Sequence, residues 1–507
     1  MAANGTRPLR RAARAAMKRI TIVGAGFCGT MTAVHLLQRS RTPLHIRLVD
    51  RNETQVGRGV AYSTEEPCHL LNVPAGRMSA FPTDPDHFLR WANAHRKDSG
   101  AAPRLSAVTP DTYLPRKLYG DYLAELLRDA IAQRGHHTVD TVLDEVTGMD
   151  TLADSTIAVQ TASGGQWQAD ACVLALGNPI PGTPNEWSAA FTGSRRYCGN
   201  PWSKELLPAL LQASSCLLLG CGLTTLDVIA SLEHHRYQGT IHTISRRGLV
   251  PLPHTTKRHP LPGLPTEIMQ ASGDLRRLLN RVRALAEQSS DGDGGWQAVI
   301  DALRAHTPSL WRALGIAQQK QFIRHVRRYW DHHRHRVAPP IRATFDRLVA
   351  TGQVRLHRGR IEAVTDRSFP SGGVDVLLRT GGGAMRALSV DYVVNCTGPA
   401  ALSRSINQPL FNSLTSLYPE VADPLGLGFT ADADMRLPGA PGRAPIFSVG
   451  PPVKGALWEC TAVPECRQDV VRVVAALADL TANSAQSHGD ARPRTSARVK
   501  HTTSFCR

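Results

Sequence analysis

Residues 19–29 read Arg-Ile-Thr-Ile-Val-Gly-Ala-Gly-Phe-Cys-Gly. The first five form a short β-branched run of the kind that favours a strand. Gly24, Gly26 and Gly29 then stand in the G-x-G-x-x-G spacing. Thr30 to Leu37 follows and reads as a helix, and a second apolar run, Leu44 to Val49, ends at Asp50. That order is a βαβ unit with its acid about 20 residues past the glycines. Gly24 permits the tight turn, Gly26 lets backbone approach a pyrophosphate, and Gly29 lets helix and strand pack closely. The helix N-terminus offers free N–H groups and a partial positive charge to phosphates. Asp50 is placed to accept hydrogen bonds from a ribose diol. We read this unit as a site for FAD.

A second unit of the same kind lies further along. Ser214 to Leu219 is an apolar strand leading into Gly220, Cys221, Gly222 and Thr225, with a helix through Asp227 to Leu232. Thr225 stands where the third glycine would be. The next strand, Thr240 to Ile244, ends in Ser245, Arg246 and Arg247. An acid at that point would repel a 2′-phosphate, whereas an arginine can hold it in charge-assisted bonds. The expectation is therefore NADPH rather than NADH, with solvated surface arginines as the bland alternative.

Two more apolar runs, Ala171 to Leu176 before Gly177 and Tyr392 to Cys396 before Thr397 and Gly398, read as strand ends where the chain crosses between the modules. Ile446 to Gly450 is a further strand. After it, a helix begins at Thr461 to Arg467 and runs to Leu480, with Val463 at the N-terminus that would face a flavin ring. Such a helix dipole favours negative charge on a reduced flavin. Gly273 to Leu348 reads as helical, with a break near Asp291 to Gly295. His332, His333 and His335 lie within it, but neighbouring arginines oppose a cation and no Cys or carboxylate cluster completes a shell. No metal is expected.

Composition narrows the classes. Apolar residues make up 42% of 507, and no apolar run approaches the ~18 residues of a membrane span. The formal charge of +17 suggests nucleic acid at first sight, yet residues 1–17 and 484–507 each contribute four net positive charges. Both ends are rich in Ala, Ser, Thr, Arg and Pro and read as disordered. The positive charge left over suits anionic cofactors and a small anionic substrate better than nucleic acid. Met17 is a second candidate start. Ten cysteines with no CxxC, and no apolar signal core, point to reduced thiols in a cytoplasm. Without close cysteines, disulfide reductase chemistry is disfavoured.

The chain resembles the flavoprotein family that includes the FAD-dependent urate hydroxylase of HpyO type and the nitrosuccinate-forming flavin monooxygenases. The resemblance covers roughly residues 18 to 480. It rests on the first glycine turn, on Gly57-Arg58-Gly59-Val60-Ala61-Tyr62-Ser63, on Leu70-Leu71-Asn72-Val73-Pro74 with Arg77-Met78-Ser79, and on Pro115-Arg116 with Tyr119-Gly120. Tyr329-Trp330-Asp331 with His333 to Arg336, and Trp458-Glu459 with Val463-Pro464-Glu465 and Arg467, belong to the same pattern. Arg58 and Gly59 would lie against the flavin, with Asn72 and Arg77 supplying hydrogen bonds to flavin or substrate. Gly398 and Gly450 would line the cofactor from the return strands.

The expected fold is α/β, with two Rossmann-like three-layer dinucleotide-binding domains and a helical insertion. The divisions are a basic extension over 1–17, an FAD-binding domain over 18–195, an NADPH-binding domain over 196–375 with its insertion at 254–348, a return to the FAD domain over 376–480, and a tail over 481–507. The resemblance implies an FAD-dependent, NADPH-consuming monooxygenase that hydroxylates a small electron-rich substrate through a flavin hydroperoxide, with urate a candidate. An NAD(P)H reductase or dehydrogenase, and a non-catalytic redox sensor, are the alternatives. The acid or base and the oligomeric state are not readable from the sequence.

Overall fold

A computed structural model describes residues 17–95, 107–184, 187–255, 261, 263–289, 295–367, 372–400, 408–439 and 442–486. The basic ends lie outside the described residues, apart from Met17 and 481–486. So does the break read near residue 291, as far as residue 294.

The first module is built on β1 (Lys18–Val23) and β2 (Leu44–Asp50), joined by the crossover helix Phe27–Arg39. The helix Arg116–Ala132 then leads to β3 (Thr138–Leu143). Next comes an antiparallel meander of β4 (Val146–Thr151), β5 (Ile157–Thr161) and β6 (Gln166–Ala169), and the chain re-enters the main sheet as β7 (Ala171–Leu174).

The second module takes β8 (Tyr197–Cys198), β9 (Ser215–Leu219), the helix Leu223–His234 and β10 (Thr240–Ser245). A run of helices ending with Pro339–Ala350 separates β10 from β11 (Val354–Asp366). Then follow β12 (Val374–Thr380), β13 (Met385–Val390) and β14 (Tyr392–Asn395). The chain returns to the first sheet as β15 (Ile446–Ser448) and ends in the helix Val463–Gln486.

The first sheet has the order β15-β7-β1-β2-β3, and each neighbouring pair is parallel. Side chains on β1 alternate between its two faces, as the period of a strand requires. Ile20 and Ile22 join the core beneath the helices Phe27–Arg39, Arg116–Ala132 and Val463–Gln486. Val23 points to the opposite face and packs with Met149, Ile157 and Val159 of the meander. This gives three layers: helices, parallel sheet, antiparallel sheet. Trp167 of β6 pins the last two together by donating from Nε1 to Thr21 Oγ1 at 2.9 Å.

The second sheet has the order β13-β12-β11-β10-β9-β14-β8. Here the boundary read at 375/376 needs correction. It falls inside β12, and β12 and β13 pair antiparallel onto β11, so the chain leaves this sheet only after Asn395. In both sheets the first strand of the glycine unit lies where strand order reverses, and ligands bind outside the carboxyl ends of strands at such a switch point.

The two strand ends expected to carry the chain between modules do so, and they run side by side. Pro181 bridges Pro399, Ala400 N–H donates to Ile180 O at 3.2 Å, and Asn395 Nδ2 donates to Gly182 O at 3.1 Å.

Candidate cofactor and active site

The first glycine turn is forced by its surroundings at two positions and left free at a third. Gly24 has φ +97°, and a Cβ there would sit 2.3 Å from Ala175 O. At Gly29 a Cβ would lie 1.8 Å from Gly24 O. Gly26 is different. Its backbone is extended (φ −73°, ψ −165°), and a Cβ would meet only Gly59, at an ordinary 3.4 Å. The fold alone does not require a glycine at 26, whereas a pyrophosphate lying on the turn would. Gly59 closes the other side of the cradle, with φ +66° and a notional Cβ 2.9 Å from Gly26 Cα. Asp50 accepts from Ala25 N–H at 2.8 Å through one oxygen and from Asn52 N–H at 3.1 Å through the other. Arg58 is ion-paired to Asp121 at 2.7 Å.

The second turn repeats this design with one exchange. Gly24 N–H donates to Val49 O and Gly220 N–H donates to Ile244 O, both at 2.7 Å, so Ser245 occupies the place of Asp50. Gly220 has φ +100°, and a Cβ would lie 2.7 Å from Cys396 O. Thr225 replaces the third glycine productively: its hydroxyl donates to Gly220 O at 2.9 Å. Gly222 matches Gly26, with extended backbone and nothing within 4 Å of a notional Cβ. The Ser245 hydroxyl accepts from Gly248 N–H at 2.9 Å and folds a turn that leaves Arg246 and Arg247 exposed. Arg247 lies over the Tyr329 ring, its Cζ 4.9 Å from the centroid.

The modules are joined by a buried clamp. Arg116, at the start of its helix, meets Asp227 of the second-turn helix through two contacts of 2.9 and 3.0 Å, with side chains 13% and 8% exposed. Its Nε also donates to Leu70 O at 3.1 Å. Beside it His69 bonds Ser231 Oγ at 2.8 Å and Thr64 Oγ1 at 2.8 Å, and burial holds its imidazole below the usual range. Arg116 and Asp227 are 111 residues apart in the chain, and nothing local in the sequence links them.

The helical insertion docks on segment 450–467 of the first module. Arg304 grips Glu465 through two bonds of 2.8 and 3.0 Å. Arg334 reaches Glu459 at 3.0 Å, and Trp330 Nε1 donates to the same carboxylate at 2.9 Å. Trp311 Nε1 donates to Gly455 O at 2.7 Å. These partners hold Glu459 below the usual carboxylate range despite the opposing cost of its burial.

Arg334 and Arg336 are buried and matched by Glu459 and Asp301, which gives this stretch of the insertion a structural role. Arg77 is likewise engaged, at 3.1 Å from Asp301. Asn72 contributes its carbonyl, which accepts from His254 Nε2 at 2.9 Å. Gly398 and Gly450 both have positive φ, and a Cβ on Gly450 would lie 3.0 Å from Cys28 Sγ at the head of the first crossover helix. Val463 is buried at the start of the last helix. The three histidines diverge: His333 Nδ1 bonds Tyr329 O, His335 faces Asp331, and burial pushes His332 down.

Above Gly450 the backbone is strained. Trp458, 3% exposed, has φ +63°, a region that costs a bulky residue of order 1–3 kcal/mol. Its ring packs 4.7 Å from Trp311 and 5.0 Å from Phe322, at the first residue of a π-helical turn, Phe322–Val326. Such wide turns recur at functional sites.

Residues 21–179 match the family model described as FAD-NAD(P)-binding. An uncharacterised protein, YdhS of Escherichia coli (strain K12), is 25% identical over 338 residues, 60% of each chain. A nitrosuccinate-forming L-aspartate N-monooxygenase of Streptomyces davaonensis (strain DSM 101723 / JCM 4913 / KCC S-0913 / 768) is 27% identical over 259 residues, 43% of this chain and 39% of that one. The matches thus span under two thirds of either relative. Among solved structures, ornithine hydroxylase from Pseudomonas aeruginosa superposes with a TM-score of 0.60 at 15% identity, over 91% of this chain and 99% of its own. Among the described residues no helix is long and apolar enough to cross a membrane. The chain therefore has the fold of the two-dinucleotide-binding flavoproteins, and its residues 21–179 match the FAD-NAD(P)-binding family.

Proposed function

We propose that this chain is an FAD- and NADPH-dependent monooxygenase of the N-hydroxylating type, acting on a small amino-acid-like amine. The observation that carries the reading is the pair of glycine cradles, one backed by Asp50 and one by Arg246 and Arg247, fixed to each other by the buried Arg116–Asp227 pair. The similarity to an aspartate N-monooxygenase supports the reaction type. Gly24, Gly26, Gly29, Asp50 and Gly59 would hold FAD, with Gly450 and Val463 toward its ring. Gly220, Gly222 and Thr225 would hold the pyrophosphate of NADPH, and Arg246 and Arg247 its 2′-phosphate. Bound FAD supplies the redox chemistry with NADPH and dioxygen.

The protein's own work is to orient and to exclude water. Trp311, Trp330 and Trp458 wall the flavin side with apolar surface. The ion pairs of Arg304 and Arg334 tie that wall to Glu465 of the last helix and Glu459 before it, and a dry site protects reactive states from side reactions.

The test is anaerobic reduction by NADPH followed by oxygen, with amines and amino acids supplied in turn and urate as comparator. Coupled hydroxylation consumes NADPH without matching release of hydrogen peroxide. Prompt turnover with ferricyanide or a quinone, with no hydroxylated product from any amine, would identify a reductase instead.

A further inference from the structure

One tyrosine of the helical insertion reaches the arginine turn of the second module. Tyr329 lies on the helix Arg327–Arg334. Arg247 stands 82 residues earlier in the chain, and its Nη1 donates to the Tyr329 hydroxyl at 2.5 Å. The guanidinium also lies over the ring, its Cζ 4.9 Å from the centroid, where the negative face of the aromatic attracts a cation. The next residue, Trp330, donates to Glu459 at 2.9 Å. Consecutive residues of one helix therefore meet the arginine turn and the tryptophan wall.

The chemistry of the partner sets this contact apart. The arginines that tie down the insertion meet carboxylates: Arg304 has Glu465, Arg334 has Glu459 and Arg336 has Asp301. Those pairs cancel the charge that they fix. A tyrosine hydroxyl accepts a hydrogen bond without bringing a negative charge. Among the described residues no carboxylate pairs with Arg247, so its charge is held in place and not cancelled. Both residues are exposed, Tyr329 to 43%, so the contact is no part of the packed core and the guanidinium stays open to a ligand.

The backbone end of Arg247 is fixed as well. Ser245 Oγ accepts from Gly248 N–H at 2.9 Å, and Gly248 takes φ +67°, which closes the turn that carries Arg247 past β10. An arginine side chain has much rotamer freedom to lose when it binds an anion, and holding it beforehand reduces that loss. A guanidinium has five N–H donors, of which the Tyr329 hydroxyl takes one. We infer that Tyr329 is a positioning residue: it presents Arg247 to the 2′-phosphate and so brings the helical insertion into the choice of NADPH over NADH. The inference rests on the proposed assignment of Arg246 and Arg247 to that phosphate.

The experiment uses full-length protein loaded with FAD, titrated by calorimetry with adenosine 2′,5′-bisphosphate and, separately, with ADP, which lacks the 2′-phosphate. We expect the wild type to prefer the 2′-phosphorylated ligand by ~10-fold or more. Tyr329→Ala should weaken that ligand roughly 5-fold or more and leave ADP within about 2-fold. Tyr329→Phe, which keeps the ring and loses the acceptor, should fall between. In an Arg247→Ala background the alanine substitution at Tyr329 should add less than about 2-fold, because the group that it positions is gone. Thermal melts of each variant check folding. Full affinity for the 2′-phosphorylated ligand in Tyr329→Ala, equal weakening of both ligands, or an undiminished effect without Arg247 overturns the inference. A wild type with no preference for the 2′-phosphorylated ligand removes the assignment of the arginine turn itself, and the inference with it.

Discussion

Gly222→Ala separates what the fold requires from what a cofactor requires. At Gly222 the backbone (φ −87°, ψ −169°) suits an L-residue, and the added methyl meets nothing within 4 Å. Replacing glycine where the conformation is compatible stabilises by about 0.4–1 kcal/mol, through the unfolded chain. The melting temperature should therefore hold or rise slightly. A dinucleotide resting on the turn would meet that methyl, because the glycine is there to let backbone approach the pyrophosphate. We expect NADPH affinity to fall 10- to 100-fold, about 1.4 to 2.7 kcal/mol. The assay is paired: thermal unfolding without nucleotide, and NADPH titration of the FAD-loaded protein. Gly220→Ala is the control, since its methyl would press on Cys396 O at 2.7 Å with φ +100°, and it should unfold the second module outright. Unchanged NADPH affinity in Gly222→Ala would refute the assignment of this turn to the pyrophosphate.

Three further outcomes follow from the same geometry. Asp227→Asn strips the counter-charge from buried Arg116 and should cost about 3 kcal/mol, read as a lower urea midpoint; replacing both partners by apolar residues should recover much of this, and a loss below ~1 kcal/mol counts against the clamp. His35 is 1% exposed, neither ring nitrogen has a hydrogen-bond partner among the described residues, and burial pushes it down to about 4. An unfolded histidine takes its proton near 6.5, so this contribution to stability is complete above pH 6.5 and is lost as pH falls toward 4, by up to roughly 3 kcal/mol; His35→Leu should flatten that limb of the stability–pH curve. Replacing Arg246 and Arg247 together by alanine should raise the KM for NADPH ~10-fold or more while leaving that for NADH nearly unchanged, and equal effects on both would mark the arginines as surface residues.

The parts of the fold that were legible in the sequence are those whose signal is local. The strand, glycine turn, helix and terminal acid or arginine of each unit lie within about 35 residues, so β1, β2, β9 and β10 and their turns could be read directly. The boundary at 375/376 failed because β12 and β13 extend the second sheet as an antiparallel hairpin, which the apolar pattern does not distinguish from the meander of the first module. The acids that pair with Arg77, Arg334 and Arg336 were not legible because they are set by tertiary contact: Asp301 lies on another helix from Arg77, and Glu459 is brought to Arg334 by the return to the first sheet. The strain at Trp458 leaves no trace in a one-dimensional pattern.

Among the described strands the chain passes between the two sheets twice, after β7 and after β14, and those passages are bonded to each other at Pro181 and Pro399. A pair of tethers fastened together acts as one pivot. It resists sliding and twisting of the modules and leaves a swing about a single axis as the soft coordinate. The Arg116–Asp227 contact latches that swing away from the pivot, together with His69–Ser231 beside it and the Arg304–Glu465 and Arg334–Glu459 pairs of the insertion. Any opening that parts the two cradles must unfasten these contacts.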